Sequence, residues 1–489
     1  MSKKKKTIEE LLEEAILSDE EQSYEVPRNW VWTRVENAIK PMETREPKKL
    51  DGKAFHYIDV DAIDNKKQMV RQIKEVEITL APSRAKRKVS KDDVIISLVR
   101  PYLKNIAHID IEDNKLVAST AFYVCTPKEI LDSNYFYSYL CSNYATQYLI
   151  DHTRGDNSPS VRSTDYEKMP LPLPPVNEQK RIAEKVKRLL SKIEKAKQLI
   201  EEAKEMFKLR QAAILDRAFR GELTRKWRID NPNAINVNQF LEDVKSKIVN
   251  KKLKHSNVEE ENLYELPNGW AWVRLGEVSN VKSSKRIFAS EYADSGIPFY
   301  RSKEIGELSS LGKAKSELFI SEERYAEIKE KFGVPKVGDL LLTSVGTIGN
   351  TWMCDGREFY YKDGNITQIE RNEYINTEFV QLFFNSYLFK KQVNLTVSGS
   401  AYNALTIEKI NQLVLPFPPL EEQQEIVRIT KKILKTEEES KNILSLRENL
   451  KGLAQSILSK AFRGELGTND PSEESAVELL KEVLQEQVN

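Results

Sequence analysis

Cysteine is nearly absent from this chain: three residues (Cys125, Cys141, Cys354) stand in 489, with no paired spacing. That excludes a disulfide framework or a zinc ribbon and suits a reducing cytoplasm. The four histidines (His56, His108, His152, His255) are scattered and read as ordinary surface or core residues. No long apolar run exists; "VIISLV" at 94–99 falls far short of the ~20 residues needed to cross a bilayer. An excess of either charge is also missing: Lys plus Arg total 76 and Asp plus Glu 75, so the net charge names no polyanionic partner. The start "MSKKKK" leads into the acidic "TIEELLEEAIL", not an apolar segment, and reads as carrying no secretory signal. Catalytic signatures are missing as well. There is no Walker A lysine loop, no G-x-G-x-x-G, no H-E-x-x-H and no C-x-x-C. "DNPNA" at 230–234 lacks the second proline and the aromatic of an "NPPY"-type methyltransferase motif. These absences describe a soluble, cytoplasmic, multidomain binder and not a catalyst.

What the chain does have is a duplication. "AFRGEL" occurs at 218–223 and again at 461–466. "YEVPRNWVWTRV" (24–35) returns as "YELPNGWAWVRL" (264–275), and "LPLPPVNEQKRI" (171–182) as "LPFPPLEEQQEI" (415–426). Three blocks in one order at nearly one offset mean that the chain is a tandem repeat. Between the blocks, 36–168 and 276–410 have similar lengths and little common sequence beyond echoes such as "KDDVIISLV" (91–99) and "VGDLLLTSV" (337–345). A fixed frame around variable inserts implies one task performed on two targets.

Part of the frame is helical. From Glu178 to Phe219 there is neither Gly nor Pro, and Ile182, Val186, Leu189, Ile193, Ala196, Ile200, Ala203 and Phe207 alternate in steps of four and three. This is a coiled-coil seam. A second helix is expected from Glu421 to about Phe462, with a seam of Ile426, Ile429, Ile433, Ile443, Leu446, Leu450, Leu453 and Ile457, weakened by Thr436 and Ser440. At ~1.5 Å per residue each helix is about 60 Å long. Two long antiparallel helices around a pseudo-twofold is the simplest arrangement; the alternative is that each helix packs only on its own insert. The expected divisions are an N-terminal helix (1–23), a variable domain (24–176), a helical region (177–223), a linker with a charged helix to about His255 (224–263), a second variable domain (264–420), a second helical region (421–466) and a C-terminal helix (467–489).

The inserts mix strand-like runs ("DVIISLV", "LVASTAFYV", "DLLLTSV", "ITQIE") with helical stretches at 134–150 and 377–394, so each is an α+β domain. Their basic segments are the best functional lead. "PSRAKRKVSKDDVIISLVRPYLK" (82–104) holds Arg84, Lys86, Arg87, Lys88, Lys91, Arg100 and Lys104 and reads as a loop ahead of a strand. "HTRGDNSPSVRS" (152–163) adds Arg154 and Arg162. In the second insert, "VKSSKRIF" supplies Lys282, Lys285 and Arg286, "YRSKEI" supplies Arg301 and Lys303, and "SGSAYNALT" supplies Ser400, Tyr402 and Asn403. Cations neutralise phosphates, and arginine forks match guanine edges, so a nucleic acid is the expected ligand.

The "LPLPPVNEQ" and "LPFPPLEEQ" blocks, both "AFRGEL" strings and the paired P-x-x-W-x-W segments closely resemble the specificity subunit of type I restriction–modification enzymes, over nearly the whole chain. The resemblance implies two target-recognition domains, each reading half of a bipartite DNA sequence, with the helices as a ruler for the gap. It implies two methyltransferase subunits carrying S-adenosylmethionine and two restriction and translocation subunits using ATP and Mg, with no cofactor or metal in this chain. Open alternatives are a partner that fuses methyltransferase and nuclease, and a tandem scaffold that binds protein.

Overall fold

The computed structural model describes residues 6–232, 236–239, 241, 242, 244, 263–397, 404–441 and 446–486. The chain forms two compact units, Met1–Ile200 with Ser445–Asn489, and Glu201–Leu444. The units therefore cut across the sequence blocks: each holds one variable domain, the start of one long helix and the end of the other. Among the described residues no helix is long and apolar enough to cross a membrane.

Each unit stands on a two-stranded ladder. Val31–Arg34 pairs antiparallel with Pro170–Leu173, and Ala271–Arg274 with Val414–Phe417. A lone pair of strands uses every second N–H, which lets Pro170 and Pro172 sit in it. The following "E-Q" dipeptide explains the second repeated block. Trp30 Nε1 donates to Glu178 at 2.7 Å and Trp270 Nε1 to Glu422 at 2.8 Å. Gln179 donates to the Ile130 and Pro174 carbonyls and accepts from Asp132 N–H, each at 2.8 Å. Gln423 repeats this with Tyr374, Pro418 and Asn376.

The "AFRGEL" strings close the opposite ends. In the first unit Phe462 lies edge-on to Tyr135 and Tyr139, with centroids 5.4 and 5.2 Å away, and the Arg463 guanidinium sits 4.6 Å above the Tyr24 ring. In the second, Phe219 meets Phe379 and Phe383 at 5.2 and 6.1 Å, and Arg220 covers Tyr264 at 4.3 Å. Gly464 and Gly221 take φ of 72° and 71°, and a Cβ on either would overlap Pro27 or Pro267. Glycine is required twice over at this joint, by conformation and by space. The motif shared by the repeats is thus the socket between a helix end and the tryptophan block of the other repeat.

The first long helix is Val176–Phe219, and the second is described as Leu420–Lys441 and Leu446–Phe462. Ile182, Ala183, Val186 and Ile193 share a core with Ile457, Leu458, Ala461 and Phe462 in the first unit. Leu215, Ala218 and Phe219 share one with Ile426 and Val427 in the second. Neither helix packs only on its own insert. Leu453 is 49% exposed where the seam expected it buried, and Ala454 packs instead; a straight helix at 3.6 residues per turn drifts off a strict 3.5 repeat. The side chains of Thr436, Ser440 and Leu446, the whole of Ile443 and all of the charged helix up to His255 except Leu241, Glu242 and Val244 lie outside the described residues. Helix Ile8–Ala15, opened by a Thr7–Glu10 capping box, packs on helix Ala476–Glu486.

In the first insert Ala54–Ile58 runs parallel to Leu116–Ser119, which pairs with the edge strand Ala85–Lys88. Strands Phe122–Cys125, Val94–Ser97 and Ile106–His108 make a second sheet. The run "LVASTAFYV" is therefore two strands around a turn. The second insert has the same skeleton: Ile297–Tyr300 runs parallel to Tyr360–Tyr361, and Ile366–Ile369, Leu340–Thr343 and Thr351–Met353 form the other sheet, with Val281–Lys282 added. The "KDDV"/"VGDL" echo is one turn built twice. Asp92 and Gly338 take φ of 68° and 88°, and the carboxylates of Asp93 and Asp339 accept from Ser90 and Lys336 N–H at 2.7 and 2.8 Å. The helical stretches both break, at Ser142 and Ser386, whose hydroxyls accept from Ala145 and Phe389 N–H and start new helices. Real divergence is confined to the segment ahead of the echo turn. There the first unit builds strands Ile63–Asp64, Met69–Val70 and Lys74–Glu77, and the second builds helices Ser302–Leu311 and Glu322–Lys331.

The two buried glutamates differ in their company. Glu422 accepts from Thr224 and from Arg228, whose guanidinium is 2.5 Å away. Glu178 has Trp30, Asn469 and Thr468 and, among the described residues, no cation at ion-pair distance, and burial raises its pKa. A carboxyl with a raised folded-state pKa stabilises fully below its unfolded value, and that contribution is lost as pH rises through the raised value. Glu178→Gln should therefore leave or raise the melting temperature at pH 8, with the gain shrinking at pH 5. Glu422→Gln strands Arg228 and should cost about 2–4 kcal/mol at both pH values. Thermal unfolding of the full chain at the two pH values checks both.

Candidate nucleic-acid interface

Both units close a loop with the same backbone bonds and tie it to a later segment of the insert. In the first, the Val161 N–H donates to Leu98 O at 2.9 Å, Arg100 N–H to Pro159 O at 2.7 Å, and Ser97 N–H to Asn105 O at 2.9 Å. Arg154 and Ser160 exchange both backbone bonds, at 2.9 and 3.0 Å. Loops 99–105 and 153–161 are thereby one surface. In the second unit Leu405 N–H donates to Ser344 O at 2.8 Å, Thr343 N–H to Asn350 O at 2.9 Å, and Val345 bridges Ala404. Ser400, Tyr402 and Asn403, expected on the partner loop, lie outside the described residues.

The interlocked loops bring Arg100, Arg154 and Arg162 together, all exposed. Arg154 shares its charge with Asp165 at 3.3 Å. Lys104 is turned away: it is half-buried, reaches Asn143 Oδ1 at 3.3 Å, and burial pulls its pKa down. The basic run at 84–88, expected to be a loop, is mostly the edge strand Ala85–Lys88. A register shift between Ala85 and Arg87 interrupts the alternation and splits its cations. Lys86 is exposed, Arg87 turns inward with its Nε buried and unbonded, and Lys88 pairs with Glu43 at 2.7 Å. Arg84 is exposed on the turn before the strand, and among the described residues no carboxylate pairs with Arg84 or Lys86.

In the second unit acids absorb most of the expected cations. Lys282 pairs with Glu370, Arg286 with Asp363 at 2.8 Å, Lys303 with Glu317 at 2.5 Å, and Arg301 with Glu304 and Glu317, both at 2.6 Å. Lys303, with Arg301, holds Glu317 down at about 2. Lys285 stays exposed, its ammonium 5.2 Å from the Phe332 ring centre. With Lys282, Ser283, Ser284 and Tyr360 it lines a recess of about 250 Å³. Counting cations along the sequence overstated this face, because Glu317, Asp363 and Glu370 are distant in sequence and adjacent in space. Conversely, it passed over Tyr102 and Leu103, which are 52% and 38% exposed. The available signal was an apolar pair inside "RPYLK", flanked by the cations Arg100 and Lys104.

The family model described as type I restriction modification DNA specificity domain matches residues 42–205 and 267–446. A Haemophilus influenzae relative assigned to the type I restriction enzyme specificity subunits is 35% identical over 164 residues, 33% of this chain and 39% of that one. The type I restriction enzyme EcoDI specificity subunit of Escherichia coli is 26% identical over 329 residues, 65% of this chain and 67% of its own length. Among solved structures, a chain from a study of complex assembly and conformational transition in the type I R-M system superposes with a TM-score of 0.70 at 26% identity, over 91% of this chain and 100% of that one.

The ion-pair pattern separates two kinds of cation. Replacing Arg84 and Lys86 together by Ala should lower the salt slope of duplex-DNA binding by up to about two. Replacing Arg301 and Lys303 together by Ala should leave the slope alone and lower the melting temperature instead. Titrations against one duplex at a series of salt concentrations measure the first, and thermal melts the second.

Proposed function

The chain belongs to the family of type I restriction–modification DNA specificity domains, and we propose that it is the sequence-reading subunit of such a complex, each unit reading one half of a bipartite, asymmetric target. One observation supports this reading: a loop closed by the same backbone bonds, Ser97 to Asn105 and Thr343 to Asn350, is built twice on a duplicated frame, while the residues the two loops display differ. A repeated frame delivers two equivalent reading positions, and different loops give two different half-sites. The first helix, 44 residues long, is about 66 Å at ~1.5 Å per residue. That is ample for half-sites one or more helical turns of DNA apart.

On this reading the chain does no chemistry itself. Its exposed helix faces, present in two related copies, would dock two methyltransferase subunits, which bring S-adenosylmethionine and methylate adenine N6. Two restriction and translocation subunits would bring ATP and Mg. The protein would act in the cytoplasm, where its DNA is.

Co-expression with the methyltransferase encoded beside it, followed by genome-wide mapping of methylated adenine, should return one bipartite motif with a fixed gap. A folded complex that neither methylates adenine nor binds duplex DNA in a salt-dependent way would remove this reading in favour of a protein scaffold. Exchanging 36–168 for the insert of a relative should change one half-site only, and a change in both would contradict modular reading. Inserting four residues, about one turn, into each long helix should lengthen the gap and leave both half-sites intact; an unchanged gap would rule out the ruler.

A further inference from the structure

Resting on that DNA-reading function, we propose that Tyr102 and Leu103 form an apolar wedge that the first unit presses between stacked bases of its half-site, and that the equivalent loop of the second unit, 345–349, carries none. The evidence is a comparison the molecule makes with itself. Ser97 and Thr343 close equivalent loops onto Asn105 and Asn350, and Leu98 and Ser344 receive equivalent bonds from Val161 and Leu405. Inside this shared frame the chain turns left-handed twice. In the second unit the two positions are Gly346 and Gly349, with φ of 80° and 98°. In the first they are Arg100 and Lys104, with φ of 49° and 52°. Glycine holds such a backbone freely, whereas arginine and lysine are strained there. The first unit thus keeps side chains where its duplicate has none.

The strain is held by pins on both sides. Arg100 N–H is fixed on Pro159 O at 2.7 Å, and Lys104 N–H on Pro101 O at 2.9 Å, with the lysine ammonium reaching Asn143. Between the pins Pro101–Leu103 make a single 3₁₀ turn with Pro101 buried. The turn lifts Tyr102 and Leu103 outward, and Val99, 37% exposed, stands at their base. An apolar tip on a pre-organised loop, beside the exposed Arg100, Arg154 and Arg162, suits a DNA step. Apolar side chains enter the stack while cations hold the phosphates on either side. The apolar tip of two or three side chains is too small for a stable protein interface. In the second unit, a Cβ at Gly346 would meet nothing within 4 Å, so its bare backbone can approach base edges closely.

The test uses the chain assembled with its methyltransferase partner and a duplex bearing the mapped target. The adenine analogue 2-aminopurine, fluorescent when unstacked, is placed at successive steps of each half-site, away from the methylated adenine. The insert exchange identifies which half-site belongs to the first unit. Fluorescence should rise on binding at one step of that half-site and at none of the other. Tyr102→Ser with Leu103→Ser should abolish the rise and weaken binding about tenfold or more, with the melting temperature unchanged. Arg100→Gly should raise or preserve the melting temperature while weakening binding, a split that a merely structural role would not give. Tight binding with no rise, or a double variant that binds as the parent does, overturns the wedge and leaves the reading function standing. Failure of the complex to bind any duplex overturns both.

Discussion

The molecule depends on one buried hydrogen bond made twice, from a tryptophan indole to the glutamate that opens a long helix. Trp30 and Trp270 lie at the head of the paired strands, and Glu178 and Glu422 lie in the first turn of the helices. Both carboxylates are essentially out of water. A buried carboxylate is tolerable only when its lone pairs are filled, so the bond fixes helix, ladder and insert in one geometry. The neighbouring glutamine extends the constraint by filling carbonyl and N–H positions at the start of the next helix. The inserts can then vary without disturbing the direction in which the helices leave them.

Much of this was legible in the sequence, because duplication supplies its own control. Residues that survive in both copies between diverged stretches mark where the two halves need the same contact, and "AFRGEL", "P-x-x-W-x-W" and "P-P-x-x-E-Q" all proved to be parts of one joint. Among the described residues the helix periodicity located the buried stripe except near Leu453. What could not be read was which half each end served. That "AFRGEL" of the first repeat packs against the tryptophan block of the second is a long-range fact, and no local pattern encodes it.

The reading surface was less legible, for a related reason. Charge along the chain is local, whereas the availability of a charge depends on partners brought near by folding. Arg301 and Lys303 looked as free as Arg84 and Lys86 until Glu317 was placed beside them. The irregular register of the strand Ala85–Lys88 likewise divides a basic run that looks continuous. Left-handed backbone at Arg100 and Lys104 has no sequence signature at all, because neither residue type favours it.

The partition of the chain also sets an order of assembly. The second unit is contained within 201–444, so it can close as soon as that stretch has been made. The first unit spans the earliest and the latest parts of the chain, and the rings of Tyr135 and Tyr139 wait for Phe462 to cover them. During synthesis the domain made first is thus the one completed last. Its aromatic core stays open to solvent, and to chaperones, until the final helix emerges. A chain cut short just beyond Leu444 would hold all of the second unit and lack the end of the first.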